Sequence, residues 1–278
     1  MDRDERVPRG STSVNYLRRL WESDPARIAA VDALLEQTFR AEQQHFWFRG
    51  FRRFVEPLIV HATRGLTRPR LLDAGCGTGR NYPLLEKYGV PLGLELSLRG
   101  LRYARGRGLP RLTQGSVTEL PFASASIDVV LSFDVLYSLQ PHAEQAAIRE
   151  MFRVLRPRGF VIVNVAALPS LTGEHSALAG ELHRYVRPEL RATITNAGFR
   201  IARLTYTNAS LLPLTAAVRA FQRLRGVAAA AEGRGDFYVP PAPVNALLSG
   251  ALAAESCVVK AGLDMPLGSS LLCLAQKL

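Results

Sequence analysis

The segment LLDAGCGTGRN, residues 71 to 81, constrains this chain more than any other. It sets a short apolar run directly before Gly75, Gly77 and Gly79, and a helical pattern directly after them. A strand that passes into a helix through such a turn lets main-chain atoms approach a ligand at positions where a Cβ would clash. The spacing is G-x-G-x-G, whereas a dinucleotide fingerprint carries one more residue before its last glycine. On its own the turn fits several nucleotide-type ligands, or merely a tight bend. A second feature narrows it. The next apolar run, Pro91 to Leu96, carries Glu95 near its end, about twenty residues on, where an acid can accept hydrogen bonds from both hydroxyls of a ribose.

The remainder of residues 70 to 165 repeats the strand–helix alternation. Apolar runs at Arg70–Ala74, Pro91–Leu96, Arg111–Gln114, Ile127–Phe133 and Phe160–Ala166 predict strands, and Leu98–Arg107 and His142–Leu155 predict helices between them. The glycine turn itself predicts a helix running on through Lys87. Continuously apolar strands separated by helices predict a parallel sheet covered on both faces, with right-handed crossovers. Arg200–Thr207 and Gly268–Gln276 add two further strands. The fold class is therefore α/β, a doubly wound Rossmann-like sheet of seven mostly parallel strands, with a helical N-terminal lid and a helical insertion before the last strand. The expected divisions are a disordered tail at 1–14, the lid at 15–69, the core at 70–208, a helical cap at 209–266 and the last strand at 267–278. Within the lid, HFWFRGFRRF (residues 45 to 54) interleaves aromatics with Arg49, Arg52 and Arg53. It reads either as a helix packed on the domain with solvated arginines or as a cover over a ligand.

Composition excludes several classes. Hydrophobic residues make up 47% and charged residues 21% of 278, which is ordinary globular usage rather than a disordered chain. Three widely spaced cysteines, Cys76, Cys257 and Cys273, form no CxxC pair, so neither a zinc site nor a disulfide framework is expected and a reducing cytosol fits. No metal is expected. No uninterrupted apolar run of eighteen residues is seen, so no membrane span is expected. The N-terminus lacks the apolar stretch of a secretory signal. The net charge of +11 points toward anionic partners, but the arginines are scattered rather than gathered into a stripe, which argues against nucleic acid.

Four blocks in this order resemble the class I S-adenosylmethionine-dependent methyltransferases, in particular the broad small-molecule group called type 11. DAGCGTGR is similar to the family's first motif and GLELS to its second. LPFASASIDVVLSFDVLYSL and IREMFRVLRPRGFVIVNV are similar to its third and fourth. FWFRGFRR and HRYVRPELRATITNAGFRI resemble flanks of a bacterial subgroup. The resemblance implies S-adenosyl-L-methionine as cofactor, with S-adenosyl-L-homocysteine as product. Asp73, Gly75 and Gly77 would meet the methionine part and ribose, Glu95 the ribose hydroxyls, and Leu96, Ser116 and Val117 the adenine. Phe133 and Asp134 would stand near the sulfonium, and Arg49, Arg52 or Arg184 would bind the methionine carboxylate. The chain departs from the family at Ser116, often Asp, at Tyr137-Ser138, often Glu-His, and at Arg158, where a turn usually takes Gly.

Methyl transfer needs alignment of nucleophile, carbon and sulfur, and for some acceptors a base. The candidate bases are His183, His175 and Tyr137, with His142 set aside as the start of a helix and Tyr185 as pocket wall. The expected reaction is transfer to a small-molecule acceptor in specialised-metabolite or saccharide biosynthesis, by a cytoplasmic monomer or homodimer. A cyclisation that uses the same cofactor without methylating, an RNA methyltransferase and a ligand-binding regulator are the alternatives.

Overall fold

The computed structural model describes residues 25–172, 180–224 and 238–278. The tail at 1–14 and His175 lie outside them. Seven strands form one sheet: β1 (Arg70–Ala74), β2 (Val90–Glu95), β3 (Leu112–Gln114), β4 (Ile127–Phe133), β5 (Leu155–Ala166), β6 (Phe199–Thr207) and β7 (Ser270–Lys277). Their order across the sheet is β3-β2-β1-β4-β5-β7-β6. The first five pair in parallel, and β7 runs antiparallel between β5 and β6. The seven-stranded, mostly parallel doubly wound sheet is thus as the sequence predicts. The order reverses at β1, so the crevice between the C-terminal ends of β1 and β4 is the topological switch point where such sheets bind ligands.

Why β4 sits at the centre is visible in IDVVLSF: every residue of it is buried. Helices α1 (Pro25–Ala41), α2 (Phe46–Ala62), α3 (Tyr82–Leu85), α4 (Leu98–Gly106), α5 (Pro141–Val154), α6 (Arg187–Asn196), α7 (Leu212–Leu224) and α8 (Ala242–Lys260) cover the sheet and its C-terminal edge. One apolar cluster gathers Leu72, Val130, Ile148, Met151 and Leu271 on one face of the sheet, and a second gathers Phe54, Leu58, Leu131, Ile162 and Leu252 on the other. The helix after the glycine turn ends at Leu85 rather than Lys87. It is a single turn opened by Pro83, and the chain must reach Gly89 and β2 at once. Strand β5 starts at Leu155, five residues before the expected Phe160, because Leu155 already pairs with Ile127; a register shift between Ile127 and Val129 takes up the residues before Phe160, with Arg158 among them at φ +66°.

Helices α2 and α8 are packed together through Gly50. A Cβ there would lie 2.4 Å from Leu252 Cδ1. Asn245 caps the contact: its Oδ1 accepts from Phe46 N (2.9 Å) and its Nδ2 donates to Gln44 O (2.8 Å). Buried Glu255 accepts from the main-chain N–H groups of Ala209 and Ser210. By length and composition α8 is apolar enough to cross a membrane, although it is not the uninterrupted apolar run of eighteen residues that a span was expected to need. The run is interrupted by Asn245, Ser249, Glu255 and Ser256: Asn245 bonds to residues 44 and 46, Glu255 to the 209–210 turn, and Ser256 Oγ to Ala253 O of its own helix.

Candidate active site

The glycine turn closes onto its neighbouring strand. Gly75 N and Cys76 N both donate to Leu94 O, at 2.8 and 2.9 Å. Gly75 has φ +96° and Gly77 φ +53°, and a Cβ on Gly75 would lie 2.3 Å from Val135 Cγ2. Only glycine takes the Gly75 position without both strain and overlap. Glu95 fastens the turn from the other side. Its Oε2 accepts from Gly77 N and its Oε1 from Ser97 N, each at 2.8 Å. Burial pushes the Glu95 carboxyl above its ordinary range, against the backbone N–H groups of Ser97 and Gly77. Each oxygen keeps a second lone-pair direction for a hydroxyl.

Beyond the strand ends lies a cavity of about 970 Å³. Gly75, Gly77, Glu95, Leu96, Ser116, Val117, Phe133, Asp134 and Tyr137 all line it. The β3 loop holds its shape through Ser116 Oγ, which accepts from Thr118 N and lies 2.7 Å from Thr118 Oγ1. Asp73 is placed differently from its expected contact. It is fully buried beneath the turn and does not line the cavity, with Asn81 Nδ2 3.5 Å from its Oδ2. Burial raises its carboxyl to about 7. Cys76 is a buried filler in the turn; burial pushes its thiol up, away from thiolate chemistry.

Helix α1 lies over the glycine turn, with Leu35 Cδ2 3.4 Å from where a Gly77 Cβ would be. Buried Glu42, just after α1, accepts from Thr78 Oγ1 at 2.6 Å and pairs with Arg107. Phe39 stacks on Tyr103 at 4.3 Å and lies under the Arg107 guanidinium. The C-terminal end of α1 and Glu42 after it are therefore fixed both to the turn and to α4 with its following Arg107. In α2, Trp47, Phe48, Phe51 and Arg52 face the cavity, while Arg49 is exposed and does not line it. The expected role of Arg49 is corrected by helix periodicity. Positions 47, 48, 51 and 52 share one face, and 49 falls on another. Arg52 and Arg80 form the basic corner beside the turn. Burial, with Arg80 adding to it, lowers Arg52 to about 10.

The candidate bases are redistributed. His183 does not line the cavity. The segment Leu182–Tyr185 runs extended, bridging to Ala167, so alternate side chains point to opposite sides. His183 rests against Tyr185 and lies 3.7 Å from Glu189, whereas Arg184 turns into the cavity. Tyr185 is core, donating to Glu144 Oε1 at 2.6 Å, and not pocket wall. Tyr137 does line the cavity, but burial pushes its hydroxyl far above the ordinary range, with Asp134 and Glu181 adding to the effect. It therefore keeps its proton. His142 reaches the cavity from the start of α5.

Asp134 is the group that sequence reasoning assigned only to the cofactor. It follows the last residue of β4 at φ +60°, a conformation a non-glycine residue holds only when its surroundings enforce it. Asn164, buried in β5, supplies that enforcement. Its backbone oxygen accepts from Asp134 N (3.0 Å), and its Nδ2 donates to Asp134 Oδ1 (2.8 Å). Burial raises the Asp134 carboxyl to about 7; the Asn164 hydrogen bond opposes this, and Glu181 adds to it. Glu181 is itself paired with Arg184 at 3.1 Å. Among the described residues, no group of three or more His, Cys, Asp or Glu side chains is placed to hold a metal ion.

This strand order, glycine turn and acid-tipped second strand are similar to those of class I S-adenosylmethionine-dependent methyltransferase domains. A family model described as methyltransferase domain, of type 11, matches residues 72–163. A malonyl-[acyl-carrier protein] O-methyltransferase of Herminiimonas arsenicoxydans is 32% identical over 151 residues, covering 53% of this chain and 56% of that protein. An S-adenosylmethionine-dependent methyltransferase of Mycolicibacterium smegmatis is 33% identical over 125 residues, covering 44% and 46%. The chain spans about half the length of the curated relatives it matches. A Haloferax volcanii methyltransferase, solved with the Trm112 methyltransferase activator, shares the fold at a TM-score of 0.55 and 17% identity, over 93% of this chain and 96% of that one.

Proposed function

We propose that the chain binds S-adenosyl-L-methionine and transfers its methyl group to a small-molecule acceptor. The observation that carries this reading is the cradle itself. Two positive-φ glycines and the Glu95 carboxylate line one end of a 970 Å³ cavity at the switch point. The residues fit the cofactor. Val135 leaves no room for a Cβ at Gly75, Glu95 has lone pairs for ribose hydroxyls, and Ser116 adds a hydroxyl to the cavity wall. Arg52 and Arg80 supply guanidinium groups for its carboxylate. Bound S-adenosyl-L-methionine supplies a methyl on a sulfonium, an electrophile that needs no further activation.

The protein's own part is alignment and proton removal. The lid of α1 and α2 excludes water from the crevice. Asp134 accepts the proton of the acceptor's hydroxyl or ammonium at Oδ2, while Oδ1 is held by Asn164. A carboxyl raised to about 7 suits a base working near neutral pH. Glu181 is engaged by Arg184 and Tyr137 keeps its proton, so both shape the pocket rather than act as base. Incubation with methyl-labelled S-adenosyl-L-methionine and a panel of phenols, amines and carboxylic acids tests the reading. Label recovered in an acceptor together with S-adenosyl-L-homocysteine supports it. Methylthioadenosine as the nucleoside product, without label transfer, supports cyclisation instead.

A further inference from the structure

The cavity has two chemically different ends. One is the cradle of Gly75, Gly77, Glu95 and Ser116. The other is walled by Phe46, Trp47 and Phe48 at the start of α2 and by Leu211, Leu214 and Val218 at α7. Of these six side chains only Trp47 can hydrogen-bond, through Nε1; Thr215 and Arg219 of α7 are the polar side chains beside them on the cavity wall. The volume, about 970 Å³, is at the upper end of the ~300–1,000 Å³ range of small-molecule pockets, which leaves space beside a cofactor. The apolar wall also continues outward. Leu214 and Val218 line the cavity and are nevertheless 53% and 43% exposed, and Phe221, 52% exposed, extends the row at i, i+4, i+7. Polar groups appear again at the inner end, where Asp134, Tyr137 and the Glu181–Arg184 pair line the same space.

We infer that this chamber takes an amphiphilic small molecule, an aromatic ring or alkyl chain bearing a hydroxyl or amine at one end. The apolar body lies between α2 and α7 with its far end toward the mouth at Leu214 and Val218, and the polar end meets Asp134. A saccharide or nucleotide acceptor carries more hydroxyls than Trp47 Nε1, Thr215 and Arg219 can satisfy along this wall, at a cost that the apolar body does not incur. That the bound molecule is the methyl acceptor rests on the proposed methyltransferase reading; that the chamber binds it does not.

The chain has two tryptophans, so a Trp21→Phe variant leaves Trp47 as the sole indole on the chamber wall. This variant, saturated with S-adenosyl-L-homocysteine, is titrated with butan-1-ol, hexan-1-ol and octan-1-ol while Trp47 emission is followed. The expected result is a saturable change whose affinity rises about threefold per methylene, as burial of each carbon requires. Adding Leu214→Asp or Val218→Asp, both at exposed positions, weakens octan-1-ol binding at least tenfold. Phe48→Ala weakens it similarly, and circular dichroism confirms that each variant is folded. Absence of saturation, no dependence on chain length, or equal affinity in the folded variants overturns the inference. So does octan-1-ol binding that is seen without S-adenosyl-L-homocysteine and lost in its presence, which would place the alcohol in the cradle. Calorimetric titration with S-adenosyl-L-homocysteine separates the two readings: no heat with that ligand, alongside normal octan-1-ol binding, removes the methyltransferase reading and leaves the chamber.

Discussion

At the residue scale the most consequential assignment is Asp134. Its main chain is held at φ +60° and its carboxylate is clamped by Asn164. If it is the proton acceptor, Asp134→Asn lowers kcat by about 10²–10⁴-fold, while affinity for S-adenosyl-L-homocysteine stays within about threefold. Steady-state kinetics and calorimetry measure the two separately. The pH dependence has a definite sign. The folded carboxyl titrates near 7 against an ordinary value of 3.8, so the base form is lost as pH falls through 7, and activity falls with it. The same shift makes the folded state hold a proton that the unfolded chain releases above about 4. The contribution of Asp134 to stability therefore declines between pH 4 and 7, and Asp134→Asn flattens that part of the melting curve. Little of this was legible beforehand. The sequence marks Asp134 as the residue ending an apolar strand, but Asn164 lies thirty residues away, and nothing local reveals that the two share a hydrogen bond. His183 misled for the converse reason: an ionisable side chain near the right loop is useful only if strand alternation turns it inward, and here Arg184 takes that side.

At the element scale the strands were legible because burial on both faces leaves an uninterrupted apolar run, as in IDVVLSF. Helix α2 was legible as a helix but not as a cavity wall, since its face was set by the packing of Gly50 on Leu252. That contact turns Arg52 inward and Arg49 outward. The attachment of α1 was not legible at all. It depends on Glu42 reaching Thr78 and Arg107, contacts between segments far apart in the chain. Because Glu42 is buried, its removal leaves Arg107 without that partner. Glu42→Ala is expected to detach α1 from the glycine turn, at a cost of roughly 3 kcal/mol or more to its local stability. Affinity for S-adenosyl-L-homocysteine should fall about tenfold, and limited proteolysis should cut within residues 25–41 more quickly. Unchanged affinity and protection would mean that α1 is no part of the site.

At the scale of the whole molecule, charge and shape point to different partners. The net charge of +11 invites a polyanion, but two arginines about the site are engaged locally, Arg184 of the cavity wall with Glu181 and Arg107 beside the glycine turn with Glu42. The cavity entrance at α7 is apolar rather than basic. Gel-shift titration with a structured RNA should therefore show only weak binding that disappears by 150 mM salt; binding that survives would favour the RNA methyltransferase alternative. The doubly wound, mostly parallel sheet was predictable from the alternation of strands and helices, and the strand order that the structure adds brings Gly75 and Glu95 to one crevice. The chamber between α2 and α7 was not, because two segments on either side of the core build it jointly.

The central claim is that the glycine turn and Glu95 form a binding site for an adenosyl sulfonium. Isothermal titration calorimetry with S-adenosyl-L-homocysteine on the unaltered protein, Gly75→Val and Glu95→Leu tests it most directly. The account predicts one saturable site on the unaltered protein and at least a thirtyfold loss in each variant, with the Glu95→Leu protein still folded by circular dichroism. No heat on the unaltered protein, or full affinity retained in both variants, would contradict it.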